Sequence, residues 1–552
     1  MNRRCPFIVT FPAVVILSAC QQPTPWDISI DEQPGEQPWA ESESPHEATA
    51  TRDGQTGMRY GADRDPPAES GQDEAEVSRE PIELSLESAV FQALANNRDL
   101  AVQQLEPVIA GTFEDLERAQ FDPTVFAEAA LSRERAEQVS RATGERFSVQ
   151  GQDNRFNVGI SQLLPTGTDV ELGLWHDRMY SDRTPNQHSV RAGVSVTQSL
   201  LRGFNRDVNL ANIRLAELDT LASEYELRGF TEALVADVEQ TYWDYVLAVR
   251  ELEIFESGLD LARQQLDVAD QRIEVGVLPE AERAAAQVEV ALREQDLIDA
   301  RSEVEQIRLR LIRLIHPREQ GQWRRPVETA DEPGVEPAEL DNMADHVAVA
   351  MQYRPELHEA RLRLEQGRLE VVQTRNGLLP RLDLFMTLGK SGFADSFSSA
   401  ARDVDGPAYD FTVGVRLEQV LGRRGQEADH RRARLQRQQA ARSLENLQQL
   451  IEADVRSAYV EVERLVNQID ASRTTRELQE EALRAEMEKF EAGTSTALLV
   501  AQAQRDYLDR QIDEVRAQVS YRQALIDMYR LEGSLLERRA LSVPRGEVDQ
   551  SG

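Results

Sequence analysis

Two proline-free stretches dominate the 552-residue chain and limit what it can fold into. One lies between Pro185 and Pro279, and the other lies between Pro407 and Pro544. In each, apolar residues recur every three or four positions, which predicts one narrow apolar stripe per helix. The stripes comprise Phe230, Leu234, Val238, Tyr242, Tyr245, Val249, Leu252, Phe255 and Leu259, and then Leu447, Ile451, Val455, Tyr459, Val462, Val466 and Ile469. A helix of about 70 residues would be a rod of roughly 105 Å, which must pack against other rods.

Helix breakers divide each stretch into two helices. Residues 276–279 (Gly-Val-Leu-Pro) interrupt the first stretch, and residues 493–496 (Gly-Thr-Ser-Thr) interrupt the second. Glycine is typical just after a helix, proline suits the start of the next one, and Ser or Thr can cap it. We therefore predict an antiparallel helical hairpin with a tight tip in each half of the chain.

Matching segments indicate that the sequence is duplicated. Residues 97–100 (Asn-Arg-Asp-Leu) align with 354–357 (Arg-Pro-Glu-Leu), and residues 236–238 recur as 453–455 (Ala-Asp-Val). Each copy is expected to contain a helix, strands, a long helix, a turn and a second long helix. We predict a first repeat at 81–330, a second at 331–540 and a tail at 541–552.

Six segments alternate apolar and polar residues, four in the first copy and two in the second. Their apolar positions begin at Val125, Phe156, Val170, Val190, Leu382 and Phe411. This period fits either a transmembrane barrel or a soluble sheet packed on a helix. Single-chain bacterial barrels start at about eight strands, and an open edge cannot persist in lipid, so a barrel would need several chains. The sequence does not show whether both strands of the hairpin that turns at residues 165–167 would belong to such a barrel.

The N-terminus carries a targeting signal. Arg3 and Arg4 precede a short apolar segment that ends in residues 17–20, Leu-Ser-Ala-Cys. These four residues resemble a bacterial lipobox, which implies a signal peptide at 1–19 and lipid attachment to Cys20. Gln21 after it resembles the outer-membrane sorting pattern of lipoproteins. Residues 20–80 are rich in Pro, Gly, Ser and acidic residues, so we expect a lipidated, disordered, acidic tether.

The composition excludes several functions. The formal net charge of −35 disfavours nucleic-acid binding, which requires a basic surface. The sequence has no phosphate loop, dinucleotide fingerprint or Gly-x-Ser-x-Gly elbow, and His358-Glu359 lacks a second histidine at metal spacing. We therefore expect no enzyme activity, no cofactor and no metal, and any transport would be driven by a partner.

The duplicated pattern resembles the TolC-like outer-membrane factors, in their lipoprotein form, over residues 81–540. The segments that carry the resemblance include residues 97–100, Pro123, Pro380 and residues 198–203 (Gln-Ser-Leu-Leu-Arg-Gly) with their counterpart 419–424. Residues 272–277 and 489–494 are similar to the basic-apolar-x-x-Gly motif of the family's hairpin tips.

The resemblance implies an α+β membrane protein whose duplicated helical hairpins form a periplasmic tunnel. Its transmembrane β-barrel would be shared between the chains of a homotrimer. The trimer would be the passive exit duct of a tripartite efflux or type I secretion system, docking a periplasmic adaptor protein and working with an inner-membrane pump. The implied docking residues are Val275, Gly276, Val277, Ala492, Gly493 and Thr494.

The tunnel end departs from the family pattern. A lock of tyrosine, arginine and acidic residues is replaced here by Phe490, Ser495, Leu499 and Gln502. Leu498 and Leu499 could instead form an apolar constriction that gates by dewetting. Glu282 could attract cations at the entrance, or could simply be a solvated acid at a helix start. The candidate gate residues are therefore Glu282, Leu498, Leu499 and Gln502.

A different class of protein also fits these patterns. A periplasmic coiled-coil adaptor, or a structural lipoprotein without a pore, would have the same helical rods and would use its strands in a soluble domain. The sequence does not reveal the transported substrate.

Overall fold

The structure is a computed structural model that describes residues 81–315, 323, 325–334 and 340–543. The predicted signal peptide, the tether and Cys20 lie outside these ranges, as does most of the tail at 541–552. The predicted limits of the two repeats remain predictions.

Each half runs from a short strand through short helices and longer strands to two long helices, but the first half has four longer strands and the second has two. The first half contains β1 (Ile82–Leu84), α1 (Leu86–Asn96), α2 (Arg98–Gln103), α3 (Leu105–Arg118), β2 (Thr124–Val139), β3 (Arg146–Leu164), β4 (Thr168–Ser181), β5 (Gln187–Ser199), α4 (Arg206–Asn209), α5 (Ala211–Glu274) and α6 (Ala281–Ile315). The second contains β6 (Val327–Thr329), α7 (Met343–Tyr353), α8 (Pro355–Gly377), β7 (Arg381–Ala394), α9 (Phe397–Asp403), β8 (Tyr409–Glu418), α10 (Arg424–Glu491), α11 (Ala497–Glu532) and α12 (Leu535–Arg538).

The long helices form the two predicted hairpins. Helix α5 has 64 residues and packs along α6, and α10 has 68 residues and packs along α11. At ~1.5 Å per residue, α5 is roughly 96 Å long. Among the helices in the described ranges, none is both long enough and apolar enough to cross a membrane.

The apolar stripe of α10 is confirmed. Ile451, Val455, Val462 and Ile469 are fully buried on one side of this helix. The expectation of a single narrow stripe is wrong for the middle of α5, which is buried on several sides from Thr231 to Ala248. Residues of α1, α6, α11 and α12 surround it there, so this part of α5 is the centre of the largest core.

All six predicted strands lie in one sheet. The order is β2-β3-β4-β5-β7-β8, and every neighbouring pair is antiparallel. The tight turn between β3 and β4 uses Gly167, whose φ of +76° favours glycine. Among the described residues, β2 and β8 each have a neighbouring strand on one side only, so these six strands do not close into a ring.

Two small features lack a clear sequence signal. Strands β1 and β6 pair in parallel against the core, and Tyr245 Oη donates a hydrogen bond to the carbonyl of Val327 in β6 at 2.8 Å. The short helix α9 lies between β7 and β8 and packs on β7. Three-residue strands and a seven-residue helix are too short for a periodic pattern to be read.

Candidate functional site at the hairpin tips

The first tip is a helix end that requires glycine. Helix α5 ends at Glu274, and Gly276 follows with a φ of +77°. The Val277 N–H donates to the carbonyl of Arg272 at 2.8 Å, and the Gly276 N–H donates to that of Ile273 at 2.9 Å. These two bonds define a Schellman end, which satisfies carbonyls that the helix leaves unpaired.

The second tip repeats this geometry. Gly493 has a φ of +74°. Its N–H donates to the carbonyl of Phe490 at 3.1 Å, and the Thr494 N–H donates to that of Lys489 at 2.9 Å. Thr496 then caps α11, since its side chain accepts from the Leu499 N–H. The two tips therefore have the same pattern of backbone hydrogen bonds.

The predicted docking residues are exposed. The relative exposures of Val275 and Val277 are 74% and 70%. Ala492 and Thr494 are also exposed. A Cβ atom built on Gly276 or Gly493 would meet no atom within 4 Å. The glycines therefore serve the backbone conformation, and no other residue in the described part of the chain covers these turns.

Polar contacts fix the chain on either side of each tip. Glu486 accepts hydrogen bonds from Ser495 and from Lys489, the latter at 2.9 Å, and these bonds hold the pKa of Glu486 below its ordinary value. At the first tip, Arg283 pairs with Asp270 at 2.6 Å and with Glu280 at 2.5 Å. Each tip is thus tied to the helix that precedes it.

A groove separates the two hairpins near their tips. The Arg272 guanidinium lies over the Phe490 ring, 4.9 Å from its centroid, so α5 and α10 approach each other there. The groove has a volume of about 570 Å³ and is mainly apolar. Its lining includes Val268, Leu292, Met487, Phe490 and Leu498.

The structure separates the candidate gate residues. Leu498 lines the groove between the hairpins, together with Ala501 and Arg505 of the same helix face. Leu499 and Gln502 are exposed and are not part of that lining. Glu282 is half-buried, and its Oε2 atom is buried without a hydrogen-bond partner. A constriction made by these residues would need neighbouring chains, so the gate remains a prediction.

A buried ion pair near the groove was not predicted. Glu289 and Arg293 of α6 are each less than a tenth exposed and pair at 2.8 Å, and Arg293 also binds Asp296 at 3.0 Å. The spacing of four residues between Glu289 and Arg293 was the available signal. It is equally typical of exposed helix pairs, so it does not reveal burial.

No metal site is evident in the part of the chain that the structure describes. Within it, no group of three or more His, Cys, Asp or Glu side chains could hold a metal ion.

Comparison with known proteins identifies the class to which this fold belongs. The sequence model of the family described as "outer membrane efflux protein" matches residues 89–315 and 347–534, which is more than half of the chain. The chain therefore belongs to the outer membrane efflux protein family.

Individual relatives agree with this assignment. The chain is 25% identical over 469 residues to outer membrane protein OprJ of Pseudomonas aeruginosa, covering 84% of this chain and 87% of that protein. It is 24% identical over 393 residues to the pyoverdine export outer membrane protein OpmQ of Pseudomonas putida, covering 68% and 79%. The fold is similar to the crystal structure of the Campylobacter jejuni CmeC outer membrane channel, with a TM-score of 0.62, 16% identity and coverage of 82% and 86%.

The chain is thus an outer-membrane efflux channel protein, and the predicted family and fold class are confirmed. The matches favour this interpretation over a periplasmic adaptor or a structural lipoprotein without a pore. The family consists of channels rather than enzymes.

Proposed function

We propose that three copies of the chain form a passive export duct. The shared sheet crosses the outer membrane, and the helical hairpins extend into the periplasm. The hairpin tips dock a periplasmic adaptor protein, and an inner-membrane pump beyond the adaptor supplies the energy.

The observation that carries this proposal is a sheet with two unlike faces and two open edges. Directly opposite residues of antiparallel strands share a face. One such row is apolar and comprises Val125, Ile160, Leu172, Val194, Leu388 and Phe411. The adjacent row on the other face is polar and comprises Thr124, Ser161, Glu171, Ser195, Thr387 and Thr412.

This arrangement fits a wall between lipid and water. In lipid, unpaired N–H and C=O groups on the edges of β2 and β8 would each cost several kcal/mol. Further copies must therefore pair with both edges. The soluble alternative would bury the apolar row under a helix, yet Leu172 and Phe411 are 58% and 56% exposed.

The tips support the docking part of the proposal. Each presents a short, tightly hydrogen-bonded turn, and the first has two valines exposed by 70% or more. A partner helix could approach closely because neither glycine carries a side chain. We also propose that lipid on Cys20 anchors the chain in the outer membrane through the tether, both of which lie outside the described residues.

Charge at an exposed tip position tests adaptor docking. Val277→Asp should lower export at least tenfold in cells, and should abolish cross-linking between the tip and the adaptor, because an isolated carboxylate would be desolvated at the contact. Val277→Thr is the matched control, since it keeps the shape without the charge. Trimers should persist in both variants on native gels.

Paired substitutions at Gly493 test the effect of charge at a matched backbone strain. Asp and Asn have side chains of the same size and both tolerate the left-handed backbone, so Gly493→Asp and Gly493→Asn differ only in charge. We expect export to fail in Gly493→Asp and to be reduced much less in Gly493→Asn. Normal export by both Val277→Asp and Gly493→Asp would rule out docking at the tips.

A further inference from the structure

We propose that all six strands of each chain enter one wall, so that three copies close an eighteen-stranded barrel. The barrel segment is then a wider aqueous conduit than a ring of twelve strands would enclose. This inference rests on the trimeric duct proposed above.

The hairpin β3–β4 decides the strand count. If it lay outside the barrel, each chain would contribute four strands and three copies would form a ring of twelve. In the structure, β3 pairs with β2 over sixteen residue pairs, and β4 pairs with β5 over twelve. Removing the hairpin from the wall would break both ladders.

The apolar face continues across this hairpin. Ile160 of β3 and Leu172 of β4 lie in register between Val125 of β2 and Val194 of β5. Both side chains are about half exposed, as is Leu388 further along the same row. A hairpin surrounded by water would gain nothing from an exposed apolar face in register with that of the other strands.

On the polar face, a row of glycines leaves space along the wall for large side chains, which keeps the lumen open. Gly159, Gly173, Gly193 and Gly389 form one row across β3, β4, β5 and β7. Large side chains occupy the space that a side chain at these positions would fill. A Cβ on Gly159 would lie 2.5 Å from Cζ of Phe126, one on Gly173 would lie 2.9 Å from the Trp175 ring, and one on Gly389 would lie 2.8 Å from Nε of Arg191. These side chains therefore lie flat along the sheet.

An ion pair holds this flat layer in place. Arg191 pairs with Asp410 of β8 at 2.7 Å, and its guanidinium carbon lies 4.9 Å from the centre of the Trp175 ring. The layer thus extends from Phe126 on one edge strand to Asp410 on the other and includes the β3–β4 hairpin. The side chains of this layer therefore extend along the wall and do not project across the lumen.

The geometry of closure is consistent with six strands per chain. Six is even and all neighbours are antiparallel, so β8 of one copy would run antiparallel to β2 of the next. With strands ~4.8 Å apart and tilted by about 40°, eighteen strands enclose a wall roughly 36 Å across, against roughly 24 Å for twelve. The lumen cross-section is therefore about doubled.

Paired cysteine variants on β4 test the inference. In the full-length protein in lipid vesicles, a water-soluble maleimide should label Glu171→Cys at least tenfold faster than Leu172→Cys. A fluorophore at Leu172→Cys should be quenched by brominated lipid, and one at Glu171→Cys should not. Equal labelling of the two positions, without quenching, would place the hairpin in water and overturn the eighteen-stranded barrel.

The same measurements on β5 separate this inference from the proposed function. Ser195→Cys and Val194→Cys lie in the wall in either barrel, so they should alternate in the same way. If labelling and quenching alternate between neighbouring residues on β5 but not on β4, only the strand count is overturned. Loss of alternation on both strands overturns the membrane channel and the strand count together. Electron cryomicroscopy of the trimer in nanodiscs gives a direct count, with eighteen strands expected and twelve contradicting the proposal.

Discussion

Glu232 is a buried acid in the crowded middle of α5. Its relative exposure is 3%. Arg228 donates to it at 3.2 Å and also binds Glu537 at 2.6 Å. Burial away from water raises the pKa of Glu232 from 4.5 to about 7, and the nearby Arg228 charge only partly offsets this effect. The core of the helical body therefore contains a group that titrates near neutral pH.

This pKa shift predicts how stability depends on pH. Because the folded pKa is raised, the folded chain keeps a proton that the unfolded chain releases between pH 4.5 and about 7. The free energy of unfolding should fall as the pH rises through this window, by roughly 3 kcal/mol for this group alone. The melting temperature of the Glu232→Gln variant should therefore fall less between pH 5 and pH 8 than that of the unmodified protein. The exposed substitution Asp260→Asn should not, and an unchanged fall in Glu232→Gln would refute the assignment.

Sequence patterns predicted some residues well and others poorly. Gly276 and Gly493 were predictable as helix ends, because only glycine adopts a positive φ without strain. The burial of Glu232, Glu289 and Arg293 was not predictable. Their local spacing matches that of exposed salt bridges, and only the packing of other helices against α5 and α6 removes them from water.

Helix α11 presents two different faces at its start. Leu498, Ala501 and Arg505 line the groove between the hairpins. Leu499 and Gln502, three residues apart, share another face that is exposed in the single chain. If three copies bring this second face together, Leu499 would form the apolar constriction.

This difference gives a prediction about gating. Leu499→Ser should raise the single-channel conductance of the closed duct several-fold, because a polar ring stays wetted where a leucine ring expels water. Leu498→Ser is the matched control and should change the conductance much less. A larger effect from Leu498→Ser would move the constriction to the groove.

The strong periodic elements were all predictable from the sequence. Both helical hairpins and all six strands of the large sheet lie where the alternation and the helix breakers indicate. The pairing of β1 with β6 was not predictable, since three residues carry no period and their partners are distant in the chain. The pairing of β5 with β7, which joins the strands of the two halves, likewise links segments that are distant in the chain.

At the scale of the whole molecule, a single chain leaves edges and surfaces that only other chains could cover. Within the described residues, the sheet has unpaired edges at β2 and β8 and an exposed apolar face, and the turns at Gly276 and Gly493 are uncovered. The sequence predicted this incompleteness from the number of alternating segments. It could not predict the diameter of the closed ring, which depends on how the strands pair within and between chains.

The most direct test is to measure assembly and conduction on the same sample. Purified full-length protein would be weighed by native mass spectrometry in detergent and then inserted into planar bilayers. We expect a mass of three chains and discrete conductance steps, with more conductance once Leu499 is replaced by serine. A species of one chain that never carries ions across a bilayer would contradict the account.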